Sequence, residues 1–400
     1  MSGDTWPDLP RYDAGGLATV LPSVAASLGV APAGPPTESV GGSAGQLLEL
    51  VPRRRAVVVL VDGLGARLLA RRGGHAPFLR SLLPSGRTLT SGFPSTTATS
   101  MGTFGTGLPP GAHGLVGFEV LDPPRDRTFN ELSWEGGPDP RAWQPHATVF
   151  ERATRAGIAV TMIGPGYFDG SGLTTAALRG ARFSAGTDLA RRVDHALAAL
   201  RASDAAGQPR QALVYLYWGD VDKTGHTYGC ESWQWGDELE STDRELARLA
   251  RQLPPDTALY VTADHGMVDV PFDDRLDVAL EGDLAAGVRH VGGEPRAPQL
   301  YCRPDAMLDV AAAWRARLGD RADVLVREEA EALGLFGTVL PSVRARIGDV
   351  VVLTRGSLAV VDSRIHRPAF LQLLGVHGSL TPDEVQIPLL EHHSPARGES

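Results

Sequence analysis

Three short stretches concentrate carboxylates and imidazoles at the ends of apolar runs. Asp62 follows AVVVLV at 56–61. Asp220 and Asp222, with His226, follow ALVYLY at 212–217, and Asp264 with His265 follows LYVT at 259–262. His377 stands alone in VHGSLTP. A single Asp after a strand is most often a helix cap or turn former. Three such ends, two of them adding His within four residues, make a set: Asp62, Asp222, Asp264, His226, His265 and His377. Mixed carboxylate and imidazole ligands suit two borderline divalent ions, zinc above all. Neither Cys230 nor Cys302 belongs to the cluster, which excludes a thiolate site. Two such ions ~3.5–4 Å apart clamp the attacking and leaving oxygens of an in-line phosphoryl transfer and offset charge on the equatorial oxygens.

That chemistry needs a nucleophile, and residues 93–114, FPSTTATSMGTFGTGLPPGAHG, supply hydroxyls. Pro94, Ser95, Thr96 and Thr97 read as a capping sequence, with a helix continuing over 98–104. A hydroxyl at a helix start is helped by backbone amides and the dipole, and a metal deprotonates it. The bland alternative is that the Ser, Thr and Gly here only cap a helix and let it pack closely.

Strands must hold these groups. The β-branched run at 56–61 is that of a strand buried on both faces of a parallel sheet, and a helix pattern follows at 66–72. Similar units recur: a helix at 147–156 before a strand at 158–163, a helix at 187–202 before 212–217, and a helix at 237–252 before 259–262. Alternating strands and helices predict a doubly wound, mostly parallel α/β sheet with helices on both faces. In such sheets ligands bind beyond the carboxyl ends of the strands, where the acids lie.

The texture divides the chain into three parts. Residues 1–45 are rich in Pro, Gly and Ser, with one short helix expected at 17–28, and read as an arm on the main body. Residues 46–269 and 375–400 read as the catalytic α/β domain. Residues 270–374 read as a smaller α+β insertion, with strands at 299–303, 323–326, 349–353 and 358–361 around a helix at 305–318.

Composition bounds the partners. Four hundred residues with 42% hydrophobic and 21% charged side chains describe a folded globular chain. The net charge of −9 argues against binding a nucleic-acid polymer through the whole surface. No apolar run approaches the ~18 residues of a membrane span. The acids and prolines at 1–10 are unlike a signal peptide, so a cytoplasmic location is expected. Two cysteines form no disulfide framework. All basic residues but one are Arg; the exception, Lys223, lies between two expected ligands, where it either reaches a substrate phosphate as a point charge or is a solvated tip.

The ordered pieces VDGLG (61–65), the 93–114 stretch with TG at 106–107 and HG at 113–114, DKTGH (222–226), ADHGM (263–267) and VHG (376–378) resemble one family. It is the nucleotide pyrophosphatase/phosphodiesterase branch of the alkaline phosphatase superfamily, and the likeness spans residues 57–390. The resemblance implies an alkaline-phosphatase-like fold and a metal-dependent phosphoric diester hydrolase with two Zn²⁺ per chain and a small-molecule phosphodiester substrate. The family's threonine nucleophile lies nine residues before TG and sixteen before HG, and both counts reach Thr97. The family pattern then gives one zinc to Asp222, His226 and His377, and the other to Asp62, Asp264 and His265, with Thr97 bridging toward substrate. His113 of AHG has no metal role in that pattern.

Two departures bear on substrate. An Asn shortly after HG donates to a phosphate oxygen in eukaryotic-type members; Phe118 stands there here, and the chain's only Asn is Asn130. The Pro-Asn after the nucleophile is also missing, replaced by Ala98, Thr99 and Ser100. Asp220 is a candidate to orient a ligand His, and Arg296 a candidate phosphate contact. Tyr167, Phe118, Trp134, Trp218, Trp233 and Trp235 are candidates to stack a base, or else rim the core. The reading is a two-zinc phosphodiesterase working through a phospho-threonine. A phosphonate or phosphomonoester hydrolase of the same superfamily is the near rival. A silent binding protein on this fold is disfavoured, because unused buried carboxylates would cost stability. A mutase is disfavoured by Thr97, since mutases use Ser, and a sulfatase by the absence of CxPxR.

Overall fold

The computed structural model describes residues 6–31, 47–203, 206–208 and 210–395. Its organising element is a seven-stranded sheet. From one edge the strands run Arg87–Thr90, Gln386–His393, Thr257–Thr262, Arg55–Val61, Ala212–Trp218, Ala159–Gly164 and Arg182–Ala185. Only Gln386–His393 runs against its neighbours. The central Arg55–Val61 strand is buried along its whole length, as its unbroken β-branched run requires. Each Val so buried contributes about 1.5–3 kcal/mol. Register aligns Val61 with Trp218 and Leu60 with Thr262, so the carboxyl ends of three parallel strands lie side by side.

Helices cover both faces. Thr97–Thr106, Val149–Arg155, Gly172–Ala177 and Val20–Ser27 form one layer, and Leu189–Arg201, Trp233–Gln252 and Pro77–Leu82 the other. Leu189–Arg201 and Trp233–Gln252 each bury one apolar stripe, joined by Arg192 and Asp243 respectively, and leave most charged residues outward. The expected helices and strands occur within a few residues of their expected bounds, except that the third helix begins earlier, at Trp233. Of the expected arm, residues 1–5 and 32–45 lie outside the described residues. Its helix is a 3₁₀ turn at Leu17–Thr19 running into Val20–Ser27, with Leu17, Val20, Leu21 and Val24 in the main core. Among the described residues, no helix is long and apolar enough to cross a membrane.

A six-stranded antiparallel sheet forms the second body: Ala322–Val326, Val350–Thr354, Ala297–Cys302, Val288–Glu294, Glu119–Asp122 and Arg127–Asn130. Helix Met307–Leu318 covers it, with Trp314 fully buried in a separate small core. This sheet is not confined to 270–374. Its last two strands come from 119–130, a stretch assigned by sequence to the catalytic part. Gly293 pairs with Glu119, a long-range bond that no local pattern announces.

Candidate active site

Asp62, Asp222 and Asp264 leave three adjacent strand ends, and His265 follows Asp264 directly. Asp222 and His226 lie four apart on helix Asp220–Tyr228, on one face, with His226 Nε2 3.1 Å from Asp222 Oδ2. His377 comes from the loop after the two-residue strand Gly375–Val376 and reaches within 4.0 Å of Asp222 Oδ1. Ligand-type atoms of Asp62, Asp264 and His265 all lie within 4.8 Å of one another, as do those of Asp222, His265 and His377. His265 is thus common to both groups. The His265 and His377 rings stack at 3.7 Å, and His226 joins the second group beside Asp222, its ring 5.3 Å from His377.

All six residues of the set therefore meet in one place, and their protons are arranged for a cation. His226, His265 and His377 each point Nδ1 at a backbone carbonyl, that of Gly375 at 2.7 Å, Gly266 at 2.9 Å and Ser95 at 2.8 Å. A carbonyl only accepts, so Nδ1 carries the proton and Nε2 turns inward. Backbone carbonyls, not Asp220, orient these rings. Asp62 Oδ1, Asp222 Oδ1 and Asp264 Oδ2 are buried and have no hydrogen-bond partner. Three orphaned carboxylate oxygens and three imidazole Nε2 atoms in one cluster are donors of the kind divalent metal ions take, so the residues fit a metal site.

The electrostatics carry the same signature. Burial, then repulsion from Asp264 and Asp222, pushes the Asp62 carboxyl well up. Burial and Asp222 raise Asp264 to about 7. Burial opposes the charge on Asp222, but the neighbouring His226 more than offsets it and holds the carboxyl below its ordinary range. Burial would lower His226, and the Asp222 carboxylate lifts it to about 9. Burial and the stacked His265 depress His377. The Tyr217 hydroxyl donates to Asp62 Oδ2, leaving Oδ1 as the free ligand atom.

Thr97 is the first residue of helix Thr97–Thr106, with Thr96 at the cap in extended conformation. Its Oγ1 lies 3.2 Å from His265 Nε2. Thr96 makes no side-chain cap bond, so the first-turn amides stay available to an anion. Thr97 opens into a cavity of about 340 Å³ that also reaches Asp62, Asp222, His226 and His377. Lys223 lines it, exposed. Phe118 lines it and stacks on Phe370, centroids 5.9 Å apart and planes 12° apart. Tyr167 stands at its rim, 79% exposed and edge-on to Phe168.

Other candidates lie elsewhere. The tryptophans at 134, 218, 233 and 235 are not among the cavity's lining residues, and Asn130 accepts from the amides of Leu132 and Ser133, closing its own turn. His113 is buried against the Thr103 hydroxyl and the Leu115 amide. Arg296 is buried and holds Glu384 by two nitrogens, at 3.1 and 2.9 Å. Conversely, Arg192, Tyr217, Glu294, Phe370 and Leu373 line the cavity without having been singled out in the sequence. Arg192 is the fourth residue of helix Leu189–Arg201, on its buried stripe, where nothing in the local spacing marks it as a site residue. Its guanidinium donates to the carbonyls of Gly186 and Tyr217 at 2.9 and 2.8 Å.

Known proteins share this architecture. Residues 56–380 match the family model described as type I phosphodiesterase/nucleotide pyrophosphatase. An uncharacterised pyrophosphatase/phosphodiesterase of Schizosaccharomyces pombe is 28% identical over 215 residues, 52% of this chain but only 41% of that protein. Among solved structures, murine ectonucleotide pyrophosphatase/phosphodiesterase 5 superposes with a TM-score of 0.67 at 21% identity, covering 84% of this chain and 88% of its own. An inactive threonine-to-alanine variant of it is described in complex with AMP. Phosphonoacetate hydrolase from Sinorhizobium meliloti, bound to phosphonoformate, gives 0.63 at 22% identity, over 86% of this chain and 91% of its own. At such identities the structures speak for the fold, whereas the family match covers most of the sequence. The chain belongs to the type I phosphodiesterase/nucleotide pyrophosphatase family.

Proposed function

We propose that the protein is a two-zinc phosphodiesterase or nucleotide pyrophosphatase that cleaves small phosphodiesters through a phospho-threonine at Thr97. The observation that carries this reading is the placing of the Thr97 hydroxyl, at a helix N-terminus and 3.2 Å from His265 Nε2, among three orphaned carboxylate oxygens. Asp62, Asp264 and His265 would hold one ion, and Asp222, His226 and His377 the other. When bound, the ions supply Lewis-acid stabilisation of the Thr97 alkoxide, of the phosphoryl oxygens and of the departing oxygen.

The chain's own residues do the rest. Thr97 Oγ1, having given up its proton, attacks phosphorus as the P–O bond to the leaving group breaks on the opposite side and the alcohol departs. Water then cleaves the Thr97–phosphorus bond, releasing the phosphoryl product and restoring the hydroxyl. First-turn amides of its helix receive a non-bridging oxygen, a duty that falls to them because Phe118 stands where relatives place an Asn. Phe118 and Tyr167 offer apolar faces to the substituents, and the inactive, AMP-bound threonine variant of the murine relative supports both the nucleophile and a nucleotide-like substrate. Lys223 adds one exposed cation at the mouth.

A second reading, a phosphonate or phosphomonoester hydrolase, is favoured by one observation: Arg192 joins Lys223 on the cavity wall, so the site is richer in cations than its motifs alone. More highly charged substrates gain more from such cations. A panel of matched aryl diester, aryl monoester and phosphonoacetate, run on zinc-loaded protein, tests the two. The expected result is a higher kcat/KM for the diester, with Lys223→Ala slowing the monoester more than the diester. A monoester preference lost in Lys223→Ala would reverse the assignment.

A further inference from the structure

Two acids on the cavity wall, Asp220 and Glu294, serve neither the metal-ligand set nor the nucleophile, and of the two Glu294 is the buried one. It is 94% buried, being 6% exposed, and its Oε1 has no hydrogen-bond partner. Burial raises its carboxyl to about 8; the Thr96 hydroxyl and His226 pull it back down, and Glu119 pushes it up again. No Lys or Arg is ion-paired with it among the described residues, and the cationic group acting on it is the His226 imidazole.

Its position is held on every side. Glu294 ends strand Val288–Glu294 at a tight hairpin, opposite Ala297. Two residues on, Arg296 is clamped to Glu384 of the main body. Gly378, next to His377, supplies the room: a Cβ there would lie 2.5 Å from the Cβ of Glu294. A buried carboxylate oxygen fixed this firmly and left unpaired costs stability, and a cation or donor brought by a ligand would offset that cost. The same cavity carries the stacked Phe118 and Phe370, apolar surface suited to the methylene groups of a short alkyl chain.

We propose that Glu294 determines specificity by receiving an ammonium group on one substituent of the bound phosphoryl compound, so that aminoalkyl phosphoesters or phosphonates are the favoured class. This rests on the reading that the phosphoryl group sits at Thr97. An ammonium donates to Oε1 and brings the opposite charge, while Phe118 and Phe370 cover its carbon chain.

The test is calorimetric titration of the zinc-loaded protein with 2-aminoethylphosphonate and its near-isostere propylphosphonate, which differ only in NH3+ against CH3. The ammonium compound should bind roughly tenfold or more tightly, the worth of one charge-assisted hydrogen bond. Glu294→Gln should bring the two affinities within about threefold of each other, and Glu294→Asp should restore part of the difference. Equal affinities in the wild type, or a preference that survives Glu294→Gln, overturn the proposal. Tighter binding of propylphosphonate also overturns it, since that would make Glu294 a proton-bearing donor to the phosphonate itself. If neither compound binds, the phosphoryl reading fails and takes this one with it; if both bind equally, only the Glu294 assignment fails.

Discussion

Thr96 and Thr97 differ by one position and by their surroundings. The Thr97 hydroxyl lies against His265 in the ligand cluster, whereas Thr96, at the cap position and buried, turns its hydroxyl to Glu294. Thr97→Ala should therefore keep fold and metals but lose roughly 10³-fold or more in kcat, whereas Thr96→Ala should lose far less. Thr97→Ser should stay within about tenfold of wild type, because the hydroxyl is what reacts. Steady-state rates of the three variants on one diester decide it; an essential Thr96 would shift the nucleophile by one. The carboxyls give a second expectation. In the metal-free protein, Asp62 and Asp264 keep protons in the folded state that the unfolded chain sheds near pH 3.8, Asp264 up to about pH 7. The folded state binds more protons across that window, so stability falls as pH rises through it. Compared with Asp264→Asn, chelated wild-type protein should therefore lose Tm more steeply between about pH 4 and 7, and added zinc should raise wild-type Tm by an increment that grows with pH.

At the scale of the element, the turn after Arg55–Val61 sets how closely two strand ends approach. Gly63 has φ +71, and a Cβ on it would lie 3.0 Å from the Cα, Cβ and Oδ1 of Asp222. Its amide also donates to Asp264 Oδ1 at 3.2 Å. Gly63→Ala should cost about 1–2 kcal/mol for the left-handed backbone. It should also displace Asp222 and weaken metal binding by roughly tenfold or more, as changes beside ligands do. Gly29→Ala is the control. Gly29 shares the left-handed conformation, φ +87, with nothing within 4 Å of its would-be Cβ. It should lose similar stability and no metal affinity, as competition with a chromogenic chelator would report.

At the scale of the molecule, the two sheets are joined through a buried ion pair. Arg296 of the hairpin and Glu384 beside the last strand are both fully inaccessible, and Glu384 also accepts the Ser379 amide at 2.9 Å. The Arg296 carbonyl in turn accepts from the Thr354 amide and hydroxyl, at 3.1 and 2.8 Å. Removing one partner strands the other charge, so Glu384→Ala should cost about 3–5 kcal/mol in urea unfolding. Replacing both by apolar residues, Arg296→Met with Glu384→Leu, should recover most of that. Equal losses in the single and double variants would mean the pair is not the joint.

The sequence by itself determined the central sheet, the acids at its strand ends and the family. These depend on local periodicity and on motifs whose spacing is read along the chain. Asp222 and His226 share a helix face by their four-residue spacing, and Asp62 and Asp264 follow continuous apolar runs. Only the tertiary structure decided that His265 stands in both ligand groups, that backbone carbonyls fix the three imidazole tautomers, and that residues 119–130 complete the second sheet. It alone brought Arg192, Phe370 and Glu294 to the wall of one cavity with Thr97. Those side chains come from a helix face, a 3₁₀ turn and a hairpin tip, with no common spacing. Their meeting is a consequence of how two sheets pack, and packing between segments far apart in sequence leaves no local pattern to read.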